Sequence, residues 1–241
     1  MHDVIGYNDM TGGGQASFTT DRFGKNNQAL NLNDGYASIG GSLYFSTTAF
    51  SISLWIYPVM DQFTPFSSVN IFDSGNINNN GPYGSSDFSD DIILYLNAAN
   101  SEPIFQIYYS KTCVVNVQSS VNLINSQWHH LTATYDGVTA SIYINGTLAS
   151  SVKQAYSLTN QSRMYNYFGG NRNFGRGSGN FGQSASHLDD IRFYNISLTP
   201  NQILNIMNFA NTTCNFIYLL LLLQCLKKNT FIYIFGPSVK R

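Results

Sequence analysis

Glutamate is almost missing from this chain: of the 13 acidic side chains among 241 residues, Glu102 is the sole glutamate and the others are aspartates. Any chemistry that needs two glutamates is thereby excluded. Charge of either sign is scarce, at 10% of residues with a formal net charge of −1, so there is no basic footprint for DNA or RNA and no nucleic acid partner is expected. Three cysteines, Cys113, Cys214 and Cys225, make neither a disulfide framework nor a zinc-type spacing. The N-terminal MHDVIGYNDM has no basic n-region and no apolar h-region, and does not read as a signal peptide. Long apolar runs are lacking too. Phe216–Leu226 is the best candidate, and a membrane helix needs about 20 such residues. Extending it to Phe235 would bury Lys227 and Lys228 at mid-membrane depth. Internal repeats and alternating βαβ patterns are absent.

What the chain does have is alternation. Hydrophobic residues make up 43% and aromatics 15%, mostly Tyr and Phe, a composition suited to strands. Trp128–Ser151 organises the rest. Its turn dipeptides, Asp136-Gly137 and Asn145-Gly146, separate three alternating runs and predict consecutive hairpins with two-residue turns of positive φ. Leu131, Ala133 and Tyr135 then share one face, and Ile142 and Ile144 share another. Phe50–Pro58 alternates without a break and predicts a central strand. Phe50, Ile52, Leu54 and Ile56 point one way, and Ser51, Ser53, Trp55 and Tyr57 the other.

Further strands are expected at Gln15–Thr19, Ala29–Ile39 with a turn at Asp34-Gly35, and Val69–Phe72. Others fall at Ile92–Asn97, Ile104–Ser110, Cys113–Gln118, Arg163–Gly169 and His187–Asn195. Residues 1–27 read mainly as loop around the first of these. Met60–Asp90 and Gly169–Gln183 read as long connections. Gly177–Gly182 satisfies G-x-G-x-x-G but leads into a strand, so the nucleotide reading fails on context. Thr199, Pro200 and Gln202 form a capping box opening a short helix to Asn208. About a dozen short strands and one terminal helix predict an all-β fold, a two-sheet antiparallel jelly-roll sandwich with one short C-terminal helix. The sandwich is assigned to residues 1–208. Residues 209–241 form a hydrophobic tail with three open readings: a membrane anchor, an element added to the jelly roll, or translated non-coding sequence.

Three segments together resemble the laminin-G-like branch of the concanavalin A-like lectin jelly rolls, which also includes the pentraxins. They are Asp21–Ile39 followed by FSISLWIYP, then WHHLTATYDG with SIYINGTLASS, then FGGNRNFG with HLDDIRFYNISLTPNQI. The resemblance implies a non-catalytic extracellular or cell-surface module for adhesion or binding, with glycan or protein ligands and often a bound calcium. It also implies an aromatic-rich strand ahead of Asp3–Thr11, so the chain is expected to be a fragment lacking its first strand. Four sequons, at Asn145, Asn160, Asn195 and Asn211, add nothing to the extracellular reading, because this composition yields about that number by chance.

Asp189 is the sharpest candidate site residue. Simple alternation along HLDDIRFYN places it with Ile191 and Phe193, and Asp190 with Leu188, Arg192 and Tyr194. A carboxylate on an apolar face needs a partner. The resemblance implies a structural calcium held by Asp189 and by backbone carbonyls, that of Gly35 among them, and oxygen-only ligation suits calcium. The competing reading is a carboxylate hydrogen-bonded to loop amides. Asp73, Asp87, Asp90 and Asp91 flank the long loop and form either a second calcium site or ordinary solvated caps. His129 and His130 are adjacent, point to opposite faces and cannot chelate together. Glycosidases share the fold, but retaining ones need carboxyl groups about 5–5.5 Å apart, usually from clustered glutamates, and none is visible. The expected function is therefore binding without catalysis. A purely structural repeat is the alternative and a glycosidase the remote one.

Overall fold

The structure, a computed structural model, describes residues 2–3, 10–41, 45, 48–59, 68–76, 89–109, 112–158, 163–170, 186–208 and 232–236. Its first strands are β1 (His2–Asp3), β2 (Thr11–Gly14), β3 (Ser17–Thr19), β4 (Ala29–Asn31), β5 (Gly35–Ile39) and β6 (Phe50–Pro58). Next come β7 (Ser68–Asn76), β8 (Ser89–Asn97), β9 (Pro103–Tyr109), β10 (Thr112–Gln118), β11 (His129–Tyr135) and β12 (Thr139–Ile144). β13 (Thr147–Lys153), β14 (Tyr165–Phe168), β15 (Ser186–Tyr194), the helix α1 (Pro200–Met207) and β16 (Ile232–Gly236) complete the order. All pairings are antiparallel. One sheet has nine strands, running β1-β16-β15-β6-β11-β12-β13 with β4 on β15 and β3 on β4. The other has seven, in the order β10-β9-β8-β7-β14-β5-β2. This is the two-sheet jelly-roll sandwich expected from the alternation.

The central strand is β6, and its register is set by hydrophobic pairing. Leu54 faces Leu131, Ile52 faces Ala133 and Phe50 faces Tyr135 on β11, all fully buried. Phe72, Leu94, Phe105 and Phe168 meet them from the seven-stranded sheet. Phe45 plugs the middle, with its ring 4.8 Å from Phe50 and 5.5 Å from Phe193. Edge and tilted ring contacts of this kind add to area burial.

Two turns that look alike in sequence differ in structure. Asn145 and Gly146 have φ of 50° and 77°, as a two-residue I′ turn requires. At the first turn only Gly137 has positive φ. There the two-residue turn is shifted to Gly137 and Val138, with Asp136 N–H donating to the Thr139 carbonyl, and the Asp136 carboxylate accepts the N–H groups of Val138 and Thr139 at 2.8 and 2.6 Å. α1 opens as expected, with Thr199 as N-cap in a full capping box.

The N-terminal part holds more strand than its pattern suggests. β2 is TGGG, with no periodicity to reveal it, and pairs with β5 through backbone alone. Gly35 begins β5 where the chain at Ala16 crosses it: a Cβ there would lie 2.2 Å from the Ala16 nitrogen. Gly35→Ala is expected to cost about 3 kcal/mol in urea unfolding, the upper end for overpacking against backbone. Gly40→Ala, where a Cβ meets nothing within 4 Å, serves as control and should stay within about 0.5 kcal/mol. Equal unfolding midpoints for the two variants would show that the crossing is loose.

The tail contributes one described element. β16 lies against β15, with Ile191 opposite Phe235 and Tyr194 opposite Ile232, the arrangement of an element added to the sandwich. Residues 209–231 and 237–241 lie outside the described residues. Among those that are described, no helix is long and apolar enough to cross a membrane.

Candidate functional site

The outer face of the nine-stranded sheet is built on the polar side of β6: Ser51, Ser53, Trp55 and Tyr57. From β11, Thr134, Thr132 and His130 stand opposite the first three. From β15, Tyr194, Arg192, Asp189 and His187 stand opposite all four. Three zones follow along the strand. At the Ser51 end the face is closed by the C-terminal segment. The Ser51 hydroxyl donates to the Ile196 carbonyl at 2.8 Å and accepts the Leu198 N–H at 2.9 Å, while Ile203 and Ile206 of α1 pack on Tyr194 and Leu198.

The middle zone is charged and buried. Between Asp189 and Arg192 the pairing of β15 with β6 slips: Asp189 faces Trp55 and Arg192 faces Ser53, leaving Asp190 and Ile191 against Leu54 alone. This is a β-bulge, and Asp190 sits in it with φ of 48°. The extra residue corrects the simple alternation. Ile191 and Phe193 stay in the core, but Asp189 lies on the outer face with Trp55. Its Oδ2 accepts Nη1 of Arg22 at 2.5 Å, and Oδ2 of Asp190 accepts Nη2 of the same guanidinium at 2.6 Å. Arg192 approaches Asp190 at 3.3 Å. Asp189 Oδ1 accepts the Asp190 N–H at 2.8 Å, so both of its oxygens are engaged. Arg22 is held over the sheet by its loop, whose Asp21 carboxylate accepts the N–H groups of Phe23 and Lys25 at 2.8 Å. Its guanidinium stacks between the rings of Phe23 and Trp55, at 4.3 and 4.8 Å. Burial, and secondly the Asp190 charge, push the Asp189 carboxyl up to about 6 despite Arg22.

His130 lies under this group and is 1% exposed. Its Nε2 is 3.0 Å from the Ser53 hydroxyl, which also receives a hydrogen bond from Thr132 at 3.1 Å, and its Nδ1 has no hydrogen-bond partner. Burial, then the Arg192 and Arg22 charges, lower it to about 3. His129 turns the other way, with Nε2 3.0 Å from the Ile124 carbonyl, so the two histidines part as alternation requires. Ser53 and His130 are too buried to reach a substrate, and together they are packing groups.

The third zone is open. Tyr57, half-buried, carries a ring on each side: His187 stacked at 5.2 Å with 7° between planes, and Trp128 tilted at 5.5 Å. Across β15 the row continues to Asn31, opposite His187, and then to Ser17. Among the described residues, no hydrogen bond engages the Tyr57 hydroxyl, the Trp128 and Trp55 indole N–H groups or the His187 ring nitrogens. The chain has only two tryptophans, and both lie on this face. Alternation had already put Trp55 and Tyr57 together; His187 and Trp128 join them through pairing across strands.

A sequence profile of the concanavalin A-like lectin/glucanase superfamily matches residues 31–204. The chain belongs to this superfamily. Among solved structures, domain 4 of AbnA, a GH43 extracellular arabinanase from Geobacillus stearothermophilus solved with arabinotriose, superposes with a TM-score of 0.60 at 19% identity. That match covers 85% of this chain and 89% of the other. The binding domain of botulinum neurotoxin DC, solved with SialylT, gives 0.58 at 14% identity over 84% of this chain and 46% of its own. The binding domain of Paraclostridial mosquitocidal protein 1 gives 0.57 at 16%, over 84% and 47%. The chain thus spans about half of these toxin binding domains. No curated protein sequence matches it.

Calcium, expected from the superfamily resemblance at Asp189 and the Gly35 carbonyl, meets a donor set that does not fit it. A guanidinium already neutralises Asp189, and Gly35 belongs to the other sheet, its carbonyl oxygen packed against Gly169. Among the described residues no three His, Cys, Asp or Glu side chains gather where a metal could bind.

The outer face of the seven-stranded sheet brings two aspartates near each other. Asp73 faces Tyr167 and Ile93 across its neighbours, and Asp91, two residues before Ile93, falls on the same face with Tyr108. Such diagonal neighbours stand about 7–8 Å apart at Cα. Both aspartates are buried, at 3% and 0% exposure. Burial, with Cys113 next and Asp91 a lesser cause, pushes the Tyr108 hydroxyl up to about 12. Asp87 and the side chain of Asp90 lie outside the described residues, as does the loop 171–185 with Arg172 and Arg176.

Proposed function

We propose that this superfamily member is a non-catalytic glycan-binding module working outside the cell, and that the Trp128–Tyr57–His187 row is its binding floor. One observation carries the reading: three adjacent half-buried rings whose polar tips take no hydrogen bond from the described residues. Half-buried aromatic carbon packs against the C–H surfaces of a sugar while the hydroxyl, indole and imidazole groups hydrogen-bond its rim. Membership of a lectin superfamily and the arabinotriose and SialylT in the names of two fold neighbours support it. Isothermal titration of the intact chain against oligosaccharides found on an array tests it. Trp128→Ala and Tyr57→Ala should each weaken binding by about tenfold or more, the loss of roughly 1.4 kcal/mol or above. A folded protein that binds no glycan would leave the purely structural repeat as the better reading.

Asp73 and Asp91 favour a second reading, hydrolysis, through their shared face. Their burial argues against it, because a catalytic carboxyl must reach the glycosidic oxygen or a water beside it. Sugar release by the native chain that Asp73→Asn abolishes would reverse this preference.

A further inference from the structure

We propose that the glycan taken by the Trp128–Tyr57–His187 row is neutral, a short oligosaccharide without sialic acid, sulfate or uronic acid groups; this rests on the reading above. The groups that the row and its continuation present are all uncharged: two aromatic rings with N–H or O–H tips, an imidazole, the Asn31 amide and the Ser17 hydroxyl. Asn31 and Ser17 are linked by a 3.2 Å hydrogen bond, which fixes the polar end of the row. Burial lowers the His187 pKa, which keeps that ring uncharged near neutral pH.

The charges nearest along β15 are already spent. The Arg22 side chain is 6% exposed and grips Asp189 and Asp190 with both arms, while Arg192 adds to Asp190. Arg22 and Arg192 are paired with Asp189 and Asp190, and the Asp21 carboxylate is close by, so the described residues of this patch carry no excess positive charge to draw an acidic sugar. An anionic group laid on the row would exchange water for aromatic carbon, with no unpaired cation among the described residues of the row to repay its desolvation. Hydroxyl groups lose much less, because the N–H and O–H tips of the row meet them.

The spacing sets the length. Ring centres step by 5.5 and 5.2 Å from Trp128 through Tyr57 to His187, and because Tyr57 and His187 are stacked on each other the row offers ring edges and polar tips over about 11 Å, the reach of roughly two to three sugar rings, and then the amide. Affinity should rise from one sugar ring to three and then level off.

An array of neutral oligosaccharides, each printed beside its sialylated or sulfated counterpart, is the test, with positives titrated by tryptophan fluorescence. Neutral members are expected to bind at least tenfold more tightly than their acidic counterparts, and Trp128→Ala should abolish the difference along with binding. His187→Phe, which keeps a ring, should retain stacking and lose part of the affinity. Tighter binding of the acidic member of a pair, lost in Trp128→Ala, would overturn neutrality while leaving a glycan site in place. Binding that persists in both Trp128→Ala and Tyr57→Ala would overturn the assignment to this row. No binding by any member to a chain that circular dichroism shows to be folded would overturn the glycan reading itself.

Discussion

Arg22→Ala is expected to destabilise the sandwich by about 3–5 kcal/mol, the usual result of removing one side of a buried ion pair. The Arg22 guanidinium joins two carboxylates that neighbour each other in sequence, at 2.5 and 2.6 Å, with side-chain exposures between 6% and 16%. Without it, Asp190 keeps only Arg192, at 3.3 Å, and Asp189 keeps the Asp190 N–H but loses its counter-charge. The variant also loses the stack between Phe23 and Trp55. Arg22→Lys should recover less than half, since an ammonium cannot fork across two carboxylates. The double variant Arg22→Ala, Asp189→Asn should be more stable than Arg22→Ala alone, because the second change removes the orphaned charge. Thermal unfolding reads all three, with a drop on the order of 10 °C for the single alanine variant. Millimolar calcium should leave the native midpoint unmoved, since the cation position is filled from within. A calcium-dependent rise in the native protein that Asp189→Asn removes would contradict this account of the pair.

How far the sequence reached depended on whether the deciding interaction was local. Alternation along Phe50–Pro58 correctly divided core from outer face, because a long unbroken strand offers one register that buries all its apolar residues. Asn145-Gly146 was legible for the same reason: its two positive φ values are a local demand of the turn. Asp136-Gly137 was not, since the outcome turned on whether the Asp136 carboxylate would capture two amides. The face of Asp189 was misread because a bulge shifts period-2 alternation by one residue, and this bulge lacks a glycine to announce it. Aspartate tolerates the left-handed region well enough to occupy it unmarked. Arg22 lies 167 residues from Asp189, in a segment rich in Gly, Asn and Asp, and no local pattern connects them. The aromatic row falls between these cases. Trp55 and Tyr57 could be placed on one face, but Trp128 and His187 come from strands whose pairing only the sandwich determines.

His130 supplies the other large expected effect, a loss of stability on acidification that one substitution removes. Its folded-state pKa is lowered from 6.5 to about 3, so the folded protein excludes a proton that the unfolded chain binds. The sign follows from linkage. A lowered histidine contributes fully above pH 6.5 and loses that contribution as pH falls toward 3, on the order of 5 kcal/mol in all. Asp189 works in the opposite sense. Its pKa is raised from 3.8 to about 6, so its contribution is fully present below pH 3.8 and is lost as pH rises through 6. Each group contributes at most one proton to the slope, with opposite sign, so between pH 4 and 6 the two largely offset in the native chain, and comparing a variant with it reads the part due to His130. Burial is the principal cause of its shift, but Arg192 and Arg22 oppose its proton while Asp190 favours it, which places ring and ion pairs in one electrostatic unit. His130→Gln keeps a polar group near Ser53 without a titrating ring. Its stability difference from the native chain, taken from urea unfolding at each pH, should shrink steadily from pH 7 to pH 4.5 and then change sign in favour of the variant. A difference that stays constant across that range would mean that water reaches the ring and that the zone beneath Arg22 is not dry.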